Sequence, residues 1–318
     1  MIIDIHTHVF PDDIARGTIR MLSEKTGNKY ELSGDGTVST LLKNMDDWGI
    51  DVSVVQPVVT KQSQTRKVNE WAAAITAVSA KAWAAAEKAG GAGRAGKPGK
   101  PGESVGSVGS VGSGGTGNSS KVGKVGKVGK PSGLISFGGI YPHSSDYMDD
   151  IDFVVGLGLR GLKFHAEYQN FVLDDDHMLR VYDYALSKGL VLLHHAGFDP
   201  GYPPPFKSSP QQFARVAKAM GGGVIIAAHL GGHDQWDDVE RHLVGSGIYL
   251  DTSMGFEFFP RDQFLRIVKT HGADKILFGS DAPWSNAGKE IANLRAMPLG
   301  ADEIDAILGG NAARILSL

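Results

Sequence analysis

Cysteine is absent from the 318 residues. That excludes disulfides, thiolate metal sites and a cysteine nucleophile, so any metal here must be held by imidazole and carboxylate groups. No apolar run approaches the roughly 20 residues needed to span a bilayer. The opening Met1-Ile2-Ile3-Asp4-Ile5-His6 lacks a basic stretch followed by an apolar one, so no signal peptide is expected and a cytoplasmic protein is the default. An excess of either charge is also missing: 32 Lys and Arg face 35 Asp and Glu, a formal net charge of −3. No global field therefore points to nucleic acid or to an anionic membrane, and the expected partner is a small-molecule substrate. Self-association, as a homo-oligomer, stays open.

Aromatic residues are missing from one stretch, Glu87 to Ser132, which consists largely of Gly, Lys, Ser, Val and Pro. It contains Gly-Ser-Val triplets (Val105 to Ser113) and Lys-Val-Gly triplets (Lys121 to Lys130). Such a composition buries too little apolar surface to offset its ordering entropy. Residues 87–132 are expected to be a disordered low-complexity insertion within a single 1–318 barrel domain, between the helix of the second strand–helix unit and the third strand. Asn118-Ser119-Ser120 matches a glycosylation acceptor, read as chance without a signal peptide.

What is present elsewhere is an alternation of short β-branched runs with helical patterns. The runs are Ile2–Ile5, Val52–Val59, Leu134–Ile140, Gly161–His165, Leu190–His195, Val224–His229, Ile248–Thr252 and Ile276–Asp281. Helical patterns between them include Val38–Trp48, Arg66–Ala86, Asp175–Lys188, Pro210–Met220 and Arg261–His271. Near-continuous apolar strands separated by helices predict a parallel sheet covered by helices, and eight such units predict a (β/α)8 TIM barrel. A last short helix is expected from Asn311, with Asn311 as its N-cap.

Barrel enzymes carry their chemistry at the C-terminal ends of the strands. Here those ends are polar: Asp4-Ile5-His6-Thr7-His8, Lys163-Phe164-His165, His194-His195, His229, Asp251 and Asp281. Residues two apart on a strand project to the same side, so His6 and His8 can reach one metal. His194 and His195 face opposite ways, and alternation alone does not choose between them because Leu192 and Leu193 are equally apolar. Asp281 can bind a metal, take a proton from activated water, or both. His229 is a candidate polariser of a substrate carbonyl. Tyr168, Gln169, Phe198, Tyr202 and Trp284 follow strand ends and are candidate pocket-lining residues.

These motifs, together with Ala228-His229-Leu230-Gly231-Gly232 and the tail Gly310-Asn311-Ala312-Ala313-Arg314, resemble the amidohydrolase superfamily. The resemblance is to its amidohydrolase-related branch, which includes aminocarboxymuconate-semialdehyde-decarboxylase-like enzymes. It implies that His6, His8, His195 and Asp281 hold one divalent metal, and that Asp281 and His229 are catalytic. Zn²⁺ suits that nitrogen and oxygen set, with Mn²⁺, Fe²⁺ and Co²⁺ as alternatives. Lys163 lies near the place where many superfamily members carry a carboxylated lysine between two metals. It is read first as an unmodified contact to a substrate carboxylate, then as a structural ion pair or a carbamylated bridge. A second metal is expected only in the last case. His165 either lines the same pocket or turns outward. The activity implied is hydrolysis of a C–N or C–O bond in a small carbonyl compound by metal-activated water. The alternatives are a non-oxidative decarboxylase of an unsaturated or aromatic acid on the same site, and a non-catalytic binding barrel.

Overall fold

In the computed structural model of the protein, residues 1–90 and 133–318 are described, the side chains of 80–90 excepted. The chain alternates strands and helices in this order: β1 (Ile3–Thr7), α1 (Asp12–Lys25), α2 (Val38–Trp48), β2 (Val52–Val55), α3 (Thr65–Gly90), β3 (Gly133–Ser136), α4 (Tyr147–Gly156), β4 (Gly161–Phe164), α5 (Ala166–Gln169), α6 (Asp176–Ser187), β5 (Val191–His194) and α7 (Pro210–Ala219). It continues through β6 (Ile225–Ala227), α8 (Trp236–Asp238), β7 (Tyr249–Asp251), α9 (Arg261–His271), β8 (Ile276–Leu277), α10 (Ala287–Arg295), α11 (Ala301–Asp305) and α12 (Asn311–Leu316). Each of the eight strands overlaps one of the eight runs expected from sequence, although β1 continues two residues past its run, to Thr7, and β3 begins one residue early, at Gly133.

All strand pairs are parallel, in the orders β1-β2-β3 and β4-β5-β6-β7-β8. Backbone hydrogen bonds bridge both seams between these groups. At one, Gly138 N–H donates to Gly161 O (2.8 Å) and Lys163 N–H to Gly138 O (2.9 Å). At the other, Ile5 N–H donates to Phe278 O (2.9 Å) and Asp281 N–H to His6 O (2.8 Å). The eight described strands therefore close into a barrel, which leaves none of them with an exposed edge.

Two apolar clusters follow from strand alternation. Ile3, Ile5, Val52, Val54, Val191, Leu193, Ile226 and Leu277 fill the barrel interior, and Ala312 and Leu316 of α12 plug it from below. Leu162, Leu192, Leu250 and Ile276 face outward, where they join the helical shell of Val181, Phe213, Phe264 and Ile291. Each fully buried aliphatic or aromatic side chain of this kind contributes about 1.5–3 kcal/mol. Gly161 has a specific packing role: a Cβ there would lie 2.6 Å from both the Phe137 ring and Val191 O.

Three expectations change. The segment Asp12–Lys25 is a helix that the sequence pattern did not single out, because it buries only Ala15, Ile19 and Ser23 while Ile14 and Met21 stay exposed. Asn311 is not an N-cap. It sits with helical dihedrals (φ −67°, ψ −45°) inside a run that begins at Ala301. Its side-chain amide instead donates to Ala273 O and Ile276 O, both at 2.8 Å, tying the tail to the start of β8. Finally, α3 continues through Gly90, so the first residues of the expected insertion are helical. The remainder of that segment, with its triplets and Asn118, lies outside the described residues. No helix among the described residues is long and apolar enough to cross a membrane.

Candidate metal centre

β1 does not run as a plain strand to its end. Its register against β2 shifts between Asp4 and Thr7, a bulge that re-aims the side chains beyond it. Below the bulge Asp4 is fully buried and clamps β1 to β8: its carboxylate accepts from Ser280 N–H (2.9 Å), Ser280 Oγ–H (2.5 Å) and His6 N–H (3.2 Å). Burial pushes the Asp4 pKa up to about 7, against those hydrogen bonds. Above the clamp, His6, His8 and Asp281 converge. Asp281 Oδ1 lies 3.0 Å from His8 Nε2 and 3.4 Å from His6 Nε2. Asp281 adopts φ +67°, a left-handed conformation that Asp tolerates better than most residues and that turns its carboxylate towards the histidines.

The protonation pattern of His6 follows from its partners. Nδ1–H donates to Asp251 Oδ2 at 2.9 Å, and Lys163 Nζ donates to Nε2 at 2.8 Å. Nε2 is therefore the lone-pair nitrogen, aimed at the Asp281 side. Burial, reinforced by Lys163, holds the His6 pKa well below its ordinary value, so the ring is neutral. Burial raises Asp281, but the facing His6 ring, the hydrogen bond from His8 and the Lys163 ammonium outweigh this and leave it below the usual carboxylate range. A neutral imidazole lone pair beside an ionised carboxylate is the donor chemistry a divalent cation requires. Asp251 extends the support: it also accepts from His229 N–H (3.0 Å), Ser253 N–H (3.0 Å) and the Ser253 hydroxyl. The sequence shows Asp251 only as one more polar strand end; its contact with His6 needs the closed barrel.

The structure separates the two histidines of β5. Leu193 belongs to the interior and Leu192 to the outer shell, so His195 faces the mouth and His194 the helices. His194 stacks on Phe164 (5.0 Å, 14°) against Tyr182, and neither of its ring nitrogens has a partner among the described residues. His195 Nδ1 lies 3.1 Å from His229 Nε2, and its Nε2 is buried without a partner among the described residues. His229 is oriented from behind by Ser253 Oγ at 2.9 Å, and both His229 and Leu230 adopt left-handed φ (57° and 55°). Gly197, at φ +83°, permits the following turn; a Cβ there would lie 2.4 Å from His233 N.

The expected four-ligand set is only partly assembled. Ligand atoms of His6, His8 and Asp281 lie within 4.8 Å of one another, whereas His195 groups with His165 and Asp199 at the same spacing. His229 joins the two groups, its ring centroid 5.5 Å from that of His6 and 4.8 Å from that of His195. His165 turns inward: it stacks on His195 (4.2 Å) and on Tyr168 (3.8 Å), with Nε2 3.3 Å from Asp199 Oδ2. Asp199 was not singled out in the sequence, because nothing in the loop after β5 marks it.

Lys163 is 1% exposed and committed to His6, so its ammonium does not face the open mouth. Burial lowers its pKa to about 8, with Asp281 and Asp251 opposing. Trp284 meets the His8 ring edge-on at 5.4 Å. Gln169 is not a lining residue. It accepts from His165 N–H and donates to Val59 O and Ile140 O, which fixes the rim loops.

Residues 130–318 match the amidohydrolase family. No curated protein sequence is matched by the chain. Solved structures share its fold at low identity. An uncharacterised TIM-barrel protein from Bordetella bronchiseptica is 16% identical, over 99% of this chain and 98% of that one, with a TM-score of 0.66. A 5-carboxyvanillate decarboxylase from Sphingomonas paucimobilis is 14% identical over 100% and 99%, TM-score 0.57. A probable 2-pyrone-4,6-dicarboxylic acid hydrolase from Acinetobacter baumannii is 13% identical over 100% and 99%, TM-score 0.57. At these identities the likeness concerns the fold.

Proposed function

The chain belongs to the amidohydrolase family, and we propose that its mouth is a one-metal centre that hydrolyses a C–N or C–O bond in a small carbonyl compound. The observation that carries this reading is the convergence of His6 Nε2, His8 Nε2 and Asp281 Oδ1, with Asp251 holding the proton of His6 on its other nitrogen. His195, whose buried Nε2 has no partner, is the fourth ligand in this reading. The all-nitrogen-and-oxygen set suits Zn²⁺, with Mn²⁺, Fe²⁺ or Co²⁺ as alternatives. When bound, the cation supplies a Lewis acid and brings the pKa of water towards about 7.

The residues do the rest. Asp281 accepts the nucleophile's proton at its carboxylate and returns it to the leaving group. His229, oriented at Nδ1 by Ser253, faces the mouth through Nε2, and once protonated there it donates to the carbonyl oxygen as negative charge develops. Lys163, buried beside His6, supports an internal role in this centre rather than the substrate contact expected from sequence. With a pKa of about 8 it has a neutral amine fraction near neutrality, which is what carbamylation and a second metal would require.

The same residues serve a decarboxylase, in which a proton is delivered to the carbon whose bond to the carboxylate breaks with loss of CO2, in place of water attack. The aromatic rings around the mouth favour keeping this second reading, as does the decarboxylase activity named for one structural relative. Metal analysis of the purified chain tests the first step: one metal per chain is expected, and two would indicate carbamylated Lys163. Asp281→Asn is expected to abolish turnover while some metal stays bound; full activity in that variant refutes the assignment. An ester and amide panel run beside CO2 release from unsaturated carboxylic acids separates the two reactions.

A further inference from the structure

Two cations on the rim, Lys25 and Lys29, are not used by the proposed metal chemistry. After α1 the segment 26–37 crosses the mouth and is tied down on the Asp281 side, where Ser33 N–H donates to Pro283 O (2.7 Å) and Asn44 Nδ2–H to Ser33 O (2.7 Å). At the start of this roof Lys25 Nζ lies 3.8 Å from the Tyr202 ring centre and 5.0 Å from that of Tyr168. Lys29 Nζ lies 5.3 Å from the Phe198 ring centre and 5.8 Å from that of Phe258. Lys43, Lys188, Lys269 and Lys289 each have a carboxylate within 4.0 Å; for Lys25 and Lys29 none is found among the described residues.

The rings under these ammonium groups lead down to the centre. Tyr168 stacks on His165, and His165 on His195. Phe198 and Phe258 both border His233, whose ring lies 5.8 Å from that of His229. The floor holds Asp281 with His6 and His8, and Asp199 with His165 and His195. With a divalent cation at the floor, as the metal-centre reading requires, an organic dianion meets attraction at both ends, and the attraction at the roof falls on the carboxylate farther from the metal. Lys163 cannot supply the attraction, because it is buried against His6.

Resting on the metal-centre reading above, we propose that Lys25 and Lys29 determine specificity, and that the substrate is a small planar organic acid. Its ring lies along the aromatic wall, and a carboxylate that does not react pairs with the two ammonium groups. A cation already held over ring faces is positioned for an anion that stacks on the same rings.

Titration calorimetry on the full, Zn²⁺-loaded chain tests this with benzene-1,3-dicarboxylate, its diamide and glutarate at low salt. The aromatic dicarboxylate is expected to bind, with the diamide and glutarate at least tenfold weaker. Lys25→Met and Lys29→Met, which keep the aliphatic stems, should each weaken it about fivefold, and the pair roughly 20-fold. Zinc content and melting temperature should match the parent. Failure of the parent to bind the dicarboxylate, equal binding of the diamide, or an unaffected double variant overturns the proposal; equal binding of glutarate overturns its planar part. Absence of zinc from the parent would instead count against the metal centre, and the lysine comparison would still be made on the same protein without metal.

Discussion

Replacing Asp251 with Asn should weaken metal binding while leaving the barrel folded. The Oδ1 side of Asp251 accepts three hydrogen bonds, from His229 N–H, Ser253 N–H and the Ser253 hydroxyl. In the variant these donors hold the amide oxygen in place, so the NH2 takes the Oδ2 position and points at His6 Nδ1, now 2.9 Å from Oδ2. Two donors cannot face each other. The imidazole must move its proton to Nε2, the nitrogen that otherwise presents a lone pair beside Asp281. Loss of such a supporting carboxylate typically costs 10–100-fold in metal affinity, about 1.4–2.7 kcal/mol. The assay is competition for Zn²⁺ against a chromophoric chelator, paired with a thermal melt. Ser253→Ala is the control: it removes one hydrogen bond but keeps the carboxylate and the His6 tautomer, so it should shift affinity less than about threefold. A folded Asp251→Asn protein that binds Zn²⁺ within about twofold of the parent would show that His6 does not ligate through the nitrogen this bond sets free.

Two further substitutions read other parts of the structure. His194→Phe removes two unpartnered nitrogens from an aromatic environment and should raise stability by about 1–2 kcal/mol with metal affinity unchanged; a loss of metal would mean that the β5 histidines are assigned the wrong way round. Glu290 is buried beneath the loop after β7 and accepts from Phe256 N–H (2.9 Å), with its pKa pushed up to about 7 by burial. A carboxyl with a folded pKa above its unfolded value binds more protons when folded, so stability falls as pH rises from about 4.5 to 7. Glu290→Gln should therefore leave the melting temperature at pH 4 nearly unchanged and raise it at pH 8, by about 1–3 kcal/mol of stability. An equal shift at both pH values would rule out the titration.

How much of this was legible in the chain follows from the range of each signal. Periodicity and propensity are local. They located all eight strands and, to the residue, the helices Val38–Trp48 and Arg261–His271. They passed over α1, whose buried face is three residues wide, and they misread Asn311, whose amide serves β8 rather than a helix start. The polar strand ends marked the rim and offered His6, His8, His229 and Asp281, and the resemblance chose His195 over His194.

Which groups actually meet was decided by barrel closure. Only the closed sheet brings Asp251 of β7 behind His6 of β1, shows that Leu193 faces inward and so aims His195 at the mouth, and buries Lys163 against His6. Only the folded rim lays Lys25 and Lys29 across rings from the loops after β4, β5 and β7. A one-dimensional pattern specifies which face of its own element a side chain occupies. The partner across the barrel is set by register, bulge and closure, and those are properties of strands far apart in the chain.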